Sequence, residues 1–198
     1  MIRNSVRILF VLACAVLLGG CGAMRSQNPG LALTPVNAVS EGEDPHLMLK
    51  GADVVSYFTQ SRFVQGTPQF KSMYEGVVFR FSSAENKALF DREPAKYQPQ
   101  FGGYCANGIS YGIPWGGDAD RFKMVGGKLY IFGGQGSLDG WNLDEPGNLA
   151  LADKYWKEEI AGNNSFWQRT KRLVFRVPHY KSGEDLEREV SAARAKKS

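Results

Sequence analysis

The chain has 198 residues, 43% hydrophobic and 12% aromatic, which is enough apolar material for one folded domain and too much for a solvated coil. Lys and Arg number 24 against 20 Asp and Glu, and loss of Arg3 and Arg7 with the leader described next leaves 22 bases against 20 acids. A balance so close to neutral gives no electrostatic ground for a nucleic-acid partner.

Arg3 and Arg7 precede an apolar run from Ile8 to Leu18 that ends in Leu18-Gly19-Gly20-Cys21. At about 1.5 Å per residue this run is too short for about 30 Å of hydrocarbon, and it has the length of a secretory h-region. Its ending resembles a bacterial lipobox. That resemblance implies cleavage after a signal peptide of residues 1–20 and lipidation of Cys21 with fatty acyl chains of the palmitate type. With Gly22 where an inner-membrane sorting Asp would stand, it also implies the periplasmic face of the outer membrane. The alternative is an ordinary secretory signal cut nearby.

On that reading Cys14 leaves with the leader and Cys21 is acylated, so Cys105 is the free thiol of the mature chain and no internal disulfide can form. A zinc finger is excluded by the lack of Cys-x-x-Cys and by the presence of only two His. An unpaired thiol in an oxidising compartment is buried, metal-bound or reactive.

Residues 21–45, rich in Pro, Gly and acids, read as a flexible tether of roughly 25–30 Å reach. Residues 46–132 carry the pattern of a domain. Phe70–Tyr74 and Val77–Phe81 form a hairpin across Glu75-Gly76, and the Phe79-Arg80-Phe81 alternation puts Arg80 opposite two aromatics. Ser82-x-x-Glu85 reads as a capping box for a helix Ser83–Asp91, which Pro94 stops. A second hairpin joins Phe122–Val125 to Lys128–Phe132 through Gly126-Gly127. The glycine-rich sector 102–147 holds no phosphate-binding loop, because Gly134-Gln-Gly136 meets Asp139 where a third glycine would stand.

Residues 133–181 read as an extension packed on the domain, with Leu149, Ala152, Trp156 and Ile160 at helical spacing ahead of Gly162-Asn163. From Ser165 to Lys181 five bases and no acid interleave with Phe166, Trp167, Leu173, Val174 and Phe175. Arg169, Lys171 and Arg172 in this run are either a cationic solvent face or a contact for anionic lipid, to which a lipid anchor would add. Residues 182–198 open with Ser182-x-x-Asp185 and continue as a polar helical tail. Together these elements predict an α+β fold of antiparallel hairpins and a short helix with a helical C-terminal extension, and no βαβ crossover.

Four ordered blocks carry a family resemblance: Gly51-Ala-Asp-Val-Val-Ser-Tyr-Phe58, Phe79-Arg-Phe-Ser-Ser-Ala-Glu-Asn86, Pro94-Ala-Lys-Tyr97 and Gly102-Gly-Tyr-Cys-Ala106. Over residues 50–132 the chain resembles a YHS domain in its secreted bacterial form. This resemblance implies metal handling, since such domains accompany copper-transporting ATPases and are related to small treble-clef-like modules. Their early Cys has no counterpart here, and Cys105 matches the late one. The implied function is a non-enzymatic binding module for a soft transition metal such as copper. The alternatives are a structural or protein-interaction lipoprotein with no small ligand, or a Cys-dependent enzyme.

The candidate sites follow from side-chain chemistry. Cys105 admits three readings: a small buried hydrophobe, a soft-metal ligand, or a nucleophile in need of His46 or His179 as base. His46 and Met48 share a face of an extended segment, which suits copper and equally suits the first strand of the domain. Asp53, Tyr57 and Tyr104 offer polar tips for a ligand-binding pocket behind the Gly102-Gly103 turn, and Asp53 is equally explained as a cap. Met124 reads as core. Asp118 and Asp120 read as a solvated turn.

Overall fold

A computed structural model of the protein describes residues 35–196, so the leader and Cys21 lie outside the described residues. The fold is α+β. Strands β1 (Ala38–Glu41), β2 (Asp44–Met48), β3 (Thr67–Tyr74) and β4 (Val77–Phe81) form a sheet in the order β1-β2-β4-β3, and β5 (Asp118–Val125) pairs with β6 (Lys128–Phe132) in a separate hairpin. Helices α1 (Val54–Thr59), α2 (Ala84–Arg92), α3 (Pro94–Tyr97) and α4 (Ala106–Ile109) lie among the strands. They are followed by α5 (Gln135–Leu143), α6 (Glu145–Tyr155), α7 (Ser165–Val174) and α8 (Gly183–Ala195).

Both expected hairpins are present, and their turns explain why. Glu75 and Gly76 take φ of +49° and +78°, and Gly126 and Gly127 take +55° and +74°, the left-handed values that a two-residue connection of twisted strands requires. The box at Ser182 is also present, with Ser182 and Asp185 bonded reciprocally at the start of α8. The box at Ser82 is displaced by one residue. Ser83 caps α2 by accepting from the Asn86 N–H, which leaves the Ser82 hydroxyl for Asp53.

Two expectations are corrected. The tether does not extend to Pro45, because from Ala38 the chain is already in the sheet. Its polar residues are a hairpin's turn and ion pairs: Gly42 turns at φ +57°, and buried Asp44 meets Arg80 at 2.7 Å and Lys71 at 2.9 Å. In addition β2 and β4 run parallel, with Leu47 opposite Val78, because the chain passes through α1 to the outer strand β3 before returning inside as β4. Arg80, on the face opposite Phe79 and Phe81, is buried against Asp44 and Glu41.

The core has two parts, and β6 divides them. Leu129 and Ile131 face Met48, Val54, Phe79, Phe81 and Phe90, whereas Tyr130 and Phe132 face Phe101, Tyr104, Trp141 and Tyr155. A strand buried on both sides is normally seen between covered layers. Here Phe101 and Tyr104 together with residues 133–160 supply the second cover.

Candidate functional site

Of the three polar residues of the expected pocket, Asp53 and Tyr57 tie scaffold elements together and Tyr104 is buried in the core. Asp53 is fully buried at the start of α1. Its Oδ1 accepts from the Val55 N–H at 3.0 Å, and its Oδ2 accepts from the Ser82 N–H at 2.8 Å, the Ser82 hydroxyl at 2.6 Å and the Asn86 amide at 2.7 Å. One carboxylate thus ties α1 to the end of β4 and the start of α2. The Tyr57 hydroxyl donates to the Ala119 carbonyl at 2.6 Å, and burial pushes its pKa up. Tyr104 is buried in the second core, and its pKa is pushed up to about 12 by burial against the opposing influence of Ser165 and Arg169.

A cleft of about 760 Å³ does lie at the Gly102-Gly103 turn, with other walls. Phe101 and Gly102 both take positive φ, +54° and +60°, which throws the Phe101 ring beside Trp156 at 5.7 Å between centroids. Gly102 is obligatory on a second count: a Cβ there would sit 2.3 Å from the Pro35 carbonyl oxygen. Asn37 clamps the turn, donating its backbone N–H to Gly102 at 2.8 Å and its side-chain amide to Gly103 at 3.0 Å and Gly117 at 3.2 Å. Tyr74, Phe79, Gln98 and Gln100 also line the cleft. An apolar wall with a few polar groups is the usual make-up of a small-molecule site. The sequence signal for these residues was Gln98-Pro-Gln-Phe101 ahead of a glycine doublet, an aromatic and two amides where no helical or strand period runs.

Cys105 is sealed, at 1% exposure. Its sulfur accepts from the Gly108 N–H at 3.4 Å, and a Cβ at Gly133 would lie 3.5 Å away. Burial raises the thiol's pKa; the N–H groups of Gly108, Gly133 and Asn107 and the Ser137 hydroxyl act in the opposite direction. The groups that address the sulfur are therefore donors, and neither His46 nor Met48 is among them. Met48 is buried in the first core, its sulfur toward Gly103, and His46 sits one strand position out on the same face of β2. Among the described residues no group of three or more His, Cys, Asp or Glu gathers to hold a metal ion. These residues do not fit a soft-metal centre at Cys105. Nor do they fit a Cys–His pair, because His179 Nε2 lies 2.9 Å from the Ser110 carbonyl and the ring packs between Tyr111 and Tyr155.

Of the three cations read as a solvent face or a lipid contact, Arg169 and Arg172 are turned inward and Lys171 stays half-exposed. Arg169 donates to the Pro114 carbonyl at 2.8 Å, and Arg172 and Lys171 both pair with Glu159. Burial works to raise the Glu159 pKa, but Gln168, Arg172 and Lys171 together hold it below the usual carboxylate range. Asp118 and Asp120 are on β5 and not in a turn; they line a smaller cavity of about 380 Å³ with Lys50 and Phe63. No helix among the described residues is long and apolar enough to cross a membrane. No family model, curated protein or solved structure matches this chain.

Proposed function

We propose that the protein is a non-enzymatic binding module, held at the periplasmic face of the outer membrane through Cys21, and that it takes a small uncharged aromatic ligand in the cleft at the Phe101–Gly103 turn. The observation that carries this reading is that Tyr74, Phe79, Phe101 and Trp156 line one cleft together with Gln98, Gln100 and Glu75. Flat apolar rings gain most from such walls, and amides add direction without favouring a charged guest. The resemblance to YHS domains supports a binding role. The ligand is moved away from copper because the Cys105 sulfur is enclosed and its lone pairs face N–H donors.

The test uses N-phenylnaphthylamine as a neutral fluorescent probe with the full chain. Its saturable emission should fall at least several-fold in Trp156→Ala and Gln100→Ala and be unchanged in Cys105→Ala. In parallel, the Cys105 thiol should alkylate slowly in the folded protein, at a rate that Cu(I) does not alter. Equal probe binding in the Trp156→Ala chain defeats the cleft reading, and Cu(I) protection of Cys105 restores the metal.

A further inference from the structure

Helix α7 is built inside out. At about 100° per residue, Phe166, Thr170, Leu173, Val174 and Trp167 fall within an arc of about 120°, and Ser165, Gln168, Arg169 and Arg172 occupy the opposite side. The polar side is the one that packs. Ser165 and Gln168 are buried, Gln168 donates to the Gly112 carbonyl at 3.0 Å and to Glu159 at 2.8 Å, and Arg169 reaches Pro114. These bonds fix the helix rotation, so the apolar arc faces solvent. Trp167 is 65% exposed, Val174 68% and Phe175 70%. Soluble proteins rarely leave a contiguous ridge of this kind without an occupant.

We infer that α7 is an interfacial helix that lays Trp167, Leu173 and Val174, with Phe175 just past its end, into the surface of a lipid bilayer. Its composition fits that solvent: Trp and Phe favour the headgroup boundary, and an apolar arc edged by cations is the pattern of helices that lie in the membrane plane. Lys171 borders the arc beside Trp167 and is half-exposed, Arg176 follows it, and no acid occurs from Ser165 to Lys181. The inference rests on the anchoring part of the proposed function, and chain length makes the two compatible. Cys21 and Pro35 are separated by 14 residues, whose fully extended span is at most roughly 46–50 Å. That is comparable with the diameter of a domain of this size, about 40 Å, so anchorage leaves the chain free to turn α7 to the bilayer from most points at which the tether could join the domain. Tethering also raises the local concentration of lipid surface, so a single short helix suffices.

The test reconstitutes the full chain into phosphatidylcholine–phosphatidylglycerol vesicles whose acyl chains carry bromine. Flotation with the vesicles reads the anchor, and quenching of tryptophan emission by the bromines reads the helix. Trp167→Phe should abolish most of the lipid-dependent quenching. The double variant Leu173→Ser with Phe175→Ser alters only outward side chains. It should float like the parent, keep its circular dichroism and lose the same quenching. If the parent floats while Trp167→Phe leaves the quenching unchanged, α7 does not touch lipid and the inference fails with the anchor intact. A parent that does not float overturns both. Concentration-dependent shielding of Trp167 from aqueous acrylamide without lipid assigns the ridge to a second copy of the chain and overturns the inference.

Discussion

Asp44 and Asp53 show how much of the scaffold depends on single carboxylates. Asp44 is buried at the start of β2 with two cations on it, and the Lys71 ammonium, followed by Arg80, holds its pKa below the ordinary value against the effect of burial. A carboxyl whose folded pKa is depressed contributes stability that is fully present above its unfolded value and is lost as pH falls through the folded value. The unfolded value is 3.8, so the contribution of Asp44 is intact at neutral pH and disappears below about pH 4. Denaturant midpoints measured from pH 6 to pH 2 should show this fall, and Asp44→Asn should flatten it while lowering stability at pH 7. An unchanged profile in Asp44→Asn would mean that the pair has no linkage to folding. None of this was readable from the sequence. Asp44 sits among Glu41, Gly42, Glu43 and Pro45, where local composition says tether, and its partner Arg80 is 36 residues away.

At the scale of the element, β6 is the strand on which both cores depend. Removing a buried ring or branched side chain leaves a cavity that its neighbours fill only in part. Because both faces of β6 are covered, Ile131→Ala should cost about 2–5 kcal/mol and Phe132→Ala about 3–5 kcal/mol. Met73→Ala on β3, where the side chain is 69% exposed, should be nearly neutral. Chemical denaturation checks the set, and a cheap Phe132→Ala would break the account of the second core. The sequence announced this strand clearly, because Gly126-Gly127 between apolar runs has few other uses. It did not announce the second cover, because Leu-Tyr-Ile-Phe fits one buried face as well as two. Helix α7 shows the same limit. Its periodicity is strong, yet the pattern alone does not say which side packs. Distant acceptors at Gly112, Pro114 and Glu159 decide that.

For the whole molecule, the last of the blocks that resemble a YHS domain, Gly102–Ala106, already enters the second core through Tyr104 and Ala106. Residues 133–160 complete the packing of Tyr130 and Phe132 through Trp141, Ala152, Tyr155 and Ile160. The described chain should therefore unfold in one transition, and a fragment ending at Phe132 should be insoluble or molten, with strong binding of a hydrophobic dye and no sharp thermal melt. A soluble 35–132 fragment with a cooperative melt would show that the first core stands alone. The candidate cleft belongs to the same logic. Its walls come from the first core through Phe79 and from the second through Phe101 and Trp156, so it exists only in the assembled molecule.

The division of labour in β6 also sets an order in time. A chain that emerges N-terminus first presents Tyr130 and Phe132 with Phe101 and Tyr104 but before the rest of their cover has appeared. Until Trp141 and Tyr155 follow, the strand is half wrapped and can pair with whatever apolar surface is near. Completion of the fold therefore waits on the last third of the chain, and the interval before it arrives is when the newly made protein is most exposed to misassembly.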